Sequence, residues 1–188
     1  MINRLFIIFT IILVSIVYSF YQKKSLESQL SFKSENILTK LPLAKFKSLD
    51  GTEFDPHDLF KDRTNLVVVH FWGTWCAPCE AELPALLTFI NGFKSRPDVK
   101  FLLVAVNDDS LKVQKHIKKF TLSNSSIIWL FDNNNVHRDV YGTTRVPETY
   151  VFSSDKVTLR KFLGPQEWMA PDFMQSFQQF IQISSSKL

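Results

Sequence analysis

The sequence predicts an α/β domain with a mixed central sheet and helices on both faces, and three observations predict it. Two near-continuous apolar runs, Leu66–Phe71 and Val99–Val106, are suited to buried parallel strands. Segments with helical spacing of apolar residues alternate with such runs along the chain. The chain then closes with two strand-like runs across Ser153-Ser154-Asp155-Lys156 and one more helical pattern, which adds antiparallel strands to a parallel sheet.

Taken in order, Leu5 to Tyr21 carries no charge, with Arg4 before it and Lys23-Lys24 after it. Its length sits at the lower edge of the roughly 17–25 residues that a membrane-spanning helix needs. Residues 1–22 therefore read as a transmembrane anchor or a signal peptide. The flanking aromatics and lysines suit a membrane interface and favour the anchor. A cleaved signal would want small residues before its cut, and only Val17-Tyr18-Ser19 offers them weakly. Residues 23–40 are polar and read as a spacer. The domain is expected over 41–183, with 184–188 as a tail.

Within the domain, alternation around Asp50-Gly51 between Phe46 and Phe54 signals a β-hairpin. A helix is expected after Cys76, running to about Phe93, with Pro84 inside it and Gly92 near its end. Ser110 is expected to cap a helix whose apolar residues Val113, Ile117 and Phe120 share one face. Ile127–Phe131 reads as a short strand, and Val136–Tyr141 as a brief helix ended by Gly142. Thr149–Phe152 and Val157–Phe162 form the second hairpin. Pro171 opens the last helix, with Phe173, Phe177, Phe180 and Ile181 on one face.

The net charge of +4 is modest, and Lys and Arg are dispersed rather than striped, so nucleic acid is not an expected partner. The chemistry is concentrated elsewhere. Cys76 and Cys79 are the only cysteines, two residues apart, between a strand-like run and a helical one. That order places a dithiol at a helix N-terminus, where unpaired N–H groups and the helix dipole stabilise a thiolate. Such a thiolate exchanges disulfides readily. A structural bridge over so short a loop would stabilise little. A closed zinc site needs about four ligands; there is no second cysteine pair and the four histidines are scattered, so no metal site and no cofactor are expected.

With the pieces in this order the chain resembles the thioredoxin fold, and more closely the membrane-tethered TlpA/ResA/CcmG group of extracytoplasmic thiol–disulfide oxidoreductases. The resemblance covers about Leu41 to Ile183. It rests on Phe71-Trp72-Gly73-Thr74-Trp75-Cys76-Ala77-Pro78-Cys79, on Glu82-Leu83-Pro84, and on Val146-Pro147-Glu148-Thr149. It implies that Cys76 is the nucleophile and Cys79 the resolving cysteine. It also implies a cis bond at Val146-Pro147, in a loop whose backbone binds an extended substrate segment beside Trp75. Glu82, one turn after Cys79, is implied to exchange protons with the dithiol, and is expected within reach of Cys79 but otherwise mostly exposed. Its bland alternative is an acid favoured by the helix dipole, the reading that suits Glu80. His70 departs from the family pattern, which has Asp or Asn there; it reads as a neutral hydrogen-bonded strand residue or as a base toward Cys79.

Direction is inferred from the residues between the cysteines. Oxidants such as DsbA carry a histidine there that stabilises the reduced thiolate, which Ala77-Pro78 cannot do, so a reductant is expected. The resemblance implies an inner-membrane, single-pass protein with its catalytic domain on the periplasmic side. An integral-membrane thiol transporter would recharge it, and its clients would be protein disulfides such as that of apocytochrome c. A broader or copper-site-assembly reductant is the alternative. A copper metallochaperone is the alternative of another class, disfavoured because Sco-type copper proteins separate their cysteines by three residues.

Overall fold

The computed structural model describes residues 13–19, 38–62, 64–120 and 126–186. Residues 13–19 form a helix, α1, within a unit of its own comprising residues 1–37. The rest of the expected anchor, and the expected spacer up to residue 37, lie outside the described residues. Among the described residues no helix is long and apolar enough to cross a membrane.

The second unit, residues 38–188, is built on a seven-stranded mixed sheet in the order β2-β1-β5-β4-β3-β6-β7. The strands are β1 (Phe46–Ser48), β2 (Glu53–Phe54), β3 (Leu66–Trp72), β4 (Val99–Val106), β5 (Ile127–Asp132), β6 (Glu148–Ser153) and β7 (Thr158–Leu163). β3, β4 and β5 run parallel, and β1, β6 and β7 pair antiparallel to their neighbours. The first hairpin turns at Gly51, whose φ of 86° is a conformation that favours glycine. A 3-10 helix (Pro56–Asp62) follows it, then α2 (Ala77–Asn91), α3 (Ser110–Ile117), α4 (Val136–Asp139) and α5 (Pro171–Ser185).

Several helix boundaries differ from the expectation: α2 ends at Asn91 rather than about Phe93, α4 at Asp139 rather than Tyr141, and α3 differs at both ends. Asp109, not Ser110, caps α3: its carboxylate accepts from the Lys112 N–H at 2.8 Å. Both residue types cap well, and the one that comes first takes the role. α3 then stops at Ile117, so Phe120 sits in the following turn while still packing against the core. The domain also uses residues outside its expected limits. Leu38 packs against a core cluster, Lys40 bridges to Val157, and buried Ser184 donates to the Asn65 carbonyl.

Alternation along β3 splits the interior in two. Leu66, Val68 and Trp72 face a cluster with Leu83, Leu86 and Ile90 of α2 and Phe177 and Ile181 of α5. Val67, Val69 and Phe71 face the other side, toward Leu41, Phe46, Tyr141 and Tyr150. All seven residues of β3 are buried, which explains why the run is apolar throughout except at His70. Burying a side chain such as Phe177 is worth about 1.5–3 kcal/mol, and aromatic edges add to it: Phe89 and Phe177 meet edge-on with centroids 4.9 Å apart. β3 and β6 pair His70 with Thr149 and Phe71 with Glu148. That register carries the loop before β6 to the end of β3, where α2 begins.

Candidate active site

Cys76 is the N-cap of α2, with extended backbone, and Cys79 lies in the first turn. Pro78 sits early in the helix, where a missing N–H costs nothing. The two cysteines form a disulfide with Cα atoms 5.3 Å apart. The Cys79 N–H donates to Cys76 Sγ at 3.3 Å, and the Glu80 N–H to the Cys76 carbonyl at 3.0 Å. A helix-end N–H, that of Cys79, therefore points at the Cys76 sulfur, where a thiolate would carry charge. Cys76 is 5 % exposed and Cys79 1 %, so the outer sulfur is the one a partner reaches.

The approach to β6 completes the rim. Val146-Pro147 is cis, and the Val146 carbonyl oxygen lies 3.6 Å from Cys76 Sγ. Just beyond, buried Glu148 holds the loop from inside. Its Oε1 accepts from Thr143 Oγ1 at 3.2 Å, meets the Tyr150 hydroxyl at 2.5 Å, and pairs with Lys161 Nζ at 2.5 Å. On the other rim, Thr74 donates its N–H and hydroxyl to Asp108 at 2.5 and 3.0 Å. The half-exposed Trp75 donates Nε1–H to the Val106 carbonyl at 3.0 Å. Between the rims runs an open groove of about 330 Å³, lined by Trp75, Asn107, Arg138, Thr144, Arg145 and Val146 among others.

Glu82 is not mostly exposed, as expected from its sequence position, but buried, at 7 % exposure. The cause is the chain after β7, which folds over α2. Glu82 Oε2 accepts from the Gln166 N–H at 2.8 Å and from Trp168 Nε1–H at 2.7 Å. Burial raises the carboxyl above its ordinary range, and those two hydrogen bonds oppose the rise. Oε1 has no hydrogen-bond partner and lies 3.8 Å from His70 Nε2, also unpartnered. His70 is fully buried, and desolvation pushes it down to about 3, so it is neutral and the contact is no ion pair. Its Nδ1 lies 2.9 Å from Thr149 Oγ1, which agrees with the neutral, hydrogen-bonded reading of this residue.

The structure thus brings Trp75 on one rim and Val146 and Pro147 on the other to the Cys76–Cys79 disulfide, and buries Glu82 in the core. Trp72 is fully buried, its ring 5.8 Å from that of Trp129. Glu80 reaches α3, with Oε1 3.1 Å from His116 Nε2. Sequence reasoning missed Trp168, Gln166, Asp108 and the Glu148 set. Trp168 meets Glu82 across 86 residues, and no local pattern signals such a contact.

Comparison with known proteins agrees with this geometry. The Redoxin family pattern matches residues 38–175. The thiol-disulfide oxidoreductase ResA of Halalkalibacterium halodurans is 25 % identical over 169 residues, covering 89 % of this chain and 90 % of that protein. ResA of Geobacillus thermodenitrificans is 31 % identical over 107 residues, covering 57 % of this chain and 58 % of that protein. In fold, the chain is similar to a thiol:disulfide interchange protein from Chlorobium tepidum, with a TM-score of 0.60 at 20 % identity over 78 % of this chain and 95 % of that one. It is similar too to a secreted Mycobacterium tuberculosis disulfide oxidoreductase homologous to E. coli DsbE, with a TM-score of 0.58 at 23 % identity over 75 % of this chain and 96 % of that one. A dithiol capping a helix opposite a cis-proline loop, in a chain with these relatives, has one assignment: the chain belongs to the Redoxin family and is a thioredoxin-fold thiol–disulfide oxidoreductase of the ResA type.

Proposed function

We propose that the chain works as a reductant of client protein disulfides outside the cytosol, with apocytochrome c as its leading client. The observation that carries this reading is the dithiol itself: Cys76 caps α2, and only Ala77-Pro78 separate it from Cys79. In the reduced protein, the Cys76 thiolate attacks one sulfur of the client disulfide. The client's other sulfur leaves as a thiolate and takes a proton. Cys79 then loses its proton, with Glu82 one turn further along α2 as the candidate acceptor, and attacks Cys76 Sγ. The second client thiolate departs, two electrons have passed to the client, and the Cys76–Cys79 disulfide remains. Trp75, Val146 and Pro147 would position the client strand. An integral-membrane thiol transporter would return the two electrons.

Localisation belongs to the same proposal. Residues 1–22 would hold the domain at the inner (cytoplasmic) membrane, on the periplasmic side, close to its source of electrons. Equilibration of the Cys76–Cys79 couple against glutathione tests the direction. A potential clearly more reducing than the approximately −120 mV of DsbA is expected, and a value near that figure would sink the reductant reading. Release of the domain into the soluble periplasm, with a new N-terminus near Phe20, would overturn the anchor. A reductant of copper-site cysteines would use the same chemistry, and the clients trapped on a Cys79→Ser variant separate the two. Tight copper binding by the reduced protein would instead favour the metallochaperone alternative.

A further inference from the structure

The groove beside the dithiol carries a charge pattern that neither rim residue accounts for. Its lining includes Trp75 and Val146, next to Cys76, together with Arg138, in the short helix α4, and Arg145, which immediately precedes Val146. Both arginines are exposed, and neither guanidinium has an ion-pair or hydrogen-bond partner among the described residues. No carboxylate lines the groove. Of the acids close to the lining residues in the chain, Asp139 is exposed beside Arg138 but does not line the groove, Glu148 is buried against Tyr150 and Lys161, and Asp108 and Asp132 are engaged elsewhere. Asp108 gives its oxygens to Thr74 and the Asp109 N–H. Asp132 is buried, accepting from the Val136 N–H, the His137 N–H and the His137 ring. The backbone N–H groups of Thr144, Arg145 and Val146 also lack partners among the described residues, so an extended segment laid along them would lie in the groove that both arginines line.

We propose that this groove selects clients whose target cysteine is flanked by acidic residues, the client carboxylates pairing with Arg138 and Arg145 while its backbone lies along Thr144–Val146. The inference deepens the reductase reading above and rests on it. Guanidinium suits the task because its planar fork binds a carboxylate through two parallel hydrogen bonds. Because both arginines lie at the rim, the effect should appear mainly as faster capture, and salt should screen it.

The test uses three disulfide peptides of equal length with Asp and Glu, Asn and Gln, or Lys flanking the cysteines. The reduced full-length protein reduces each, and each rate is divided by the rate with dithiothreitol, which removes the intrinsic effect of the charges on the disulfide. The acidic peptide should be preferred over the neutral one by about fivefold at low ionic strength, and the preference should fall toward one in 1 M salt. The Arg138→Gln/Arg145→Gln double variant should lose the preference, and Arg138→Lys/Arg145→Lys should keep part of it. Since the readout is a ratio, a partly unfolded variant still reports it. Equal normalised rates in the unaltered protein, or a preference that survives the double Gln change, would overturn this inference alone. Failure to reduce any of the three peptides would overturn the reductase reading and this inference with it.

Discussion

Glu82 joins the dithiol helix to the segment after β7, and two substitutions separate its structural part from its chemical part. In Glu82→Ala, the fully buried Trp168 indole loses the acceptor 2.7 Å from its N–H, and the part-buried Gln166 N–H loses its own at 2.8 Å. An orphaned buried donor costs about 1–3 kcal/mol. The Gln166 N–H is nearer water and should recover part of that cost. Allowing for a small cavity, the loss should total about 2–4 kcal/mol. Glu82→Gln keeps an oxygen in the Oε2 position and presents its amide NH2 to His70 Nε2, now 3.8 Å from Oε1 and without a hydrogen bond. It should stay within about 1 kcal/mol of the unaltered protein. Thermal and urea unfolding of the oxidised proteins checks this, with Glu82→Ala melting lower by on the order of 10 °C. Burial holds the Glu82 carboxyl above its usual range, so Glu82→Gln should also flatten the pH dependence of Cys79 reactivity above that range. Equal stability of the Ala and Gln variants would refute the bridging role, and an unchanged pH profile would refute the proton role.

Two further outcomes follow from the same site. Cys76→Ser should abolish disulfide reduction, whereas Cys79→Ser should accumulate mixed disulfides; faster alkylation of Cys79 than of Cys76 in the reduced protein would reverse the assignment. His70 sits at about 3 in the fold against 6.5 when exposed. Below pH 6.5 the unfolded chain therefore binds the extra proton, and the stability present at neutral pH is lost as pH falls toward 3. Between pH 7 and 4.5 the protein should lose about 2–3 kcal/mol more than His70→Asn does. Glu82, shifted upward, works the opposite way and loses its contribution as pH rises above 4.5. Identical pH slopes for the two proteins in urea unfolding would show that His70 is not buried neutral.

The sheet was readable because each strand carried its own signal. β3 and β4 are apolar runs buried on both faces, and the two hairpins announce themselves by Asp-Gly and by a polar four-residue turn. The dithiol was readable for the same reason, since Cys76, the helix it caps and the strand before it are contiguous. The burial of Glu82 was not. Its place in α2 puts it on the same side as Cys79, but whether that side meets solvent depends on where the chain runs after Leu163. Nothing in Gln166 or Trp168 announces a contact with α2. The arginine-lined groove was hidden likewise: Arg138 and Arg145 are unremarkable until α4 and the cis-proline loop fold beside Trp75. The α3 cap shows a smaller limit, because two adjacent residues could each serve and local preference did not choose between them.

Trp75 is 54 % exposed, yet its indole is pinned from two directions. Its Nε1–H is tied to the Val106 carbonyl, and the ring lies so close over Gly73 that a Cβ there would fall 2.7 Å from Nε1. Large apolar side chains at a protein surface usually sample several rotamers, and a partner that fixes one must overcome an entropy loss of about 0.5–1.5 kcal/mol for each side chain it immobilises. At this rim that ordering is already done during folding, by a glycine that leaves room for the ring and a carbonyl that holds it. A passing disulfide therefore meets a fixed flat wall beside Cys76, and encounter with it demands shape from the client rather than adjustment from the enzyme.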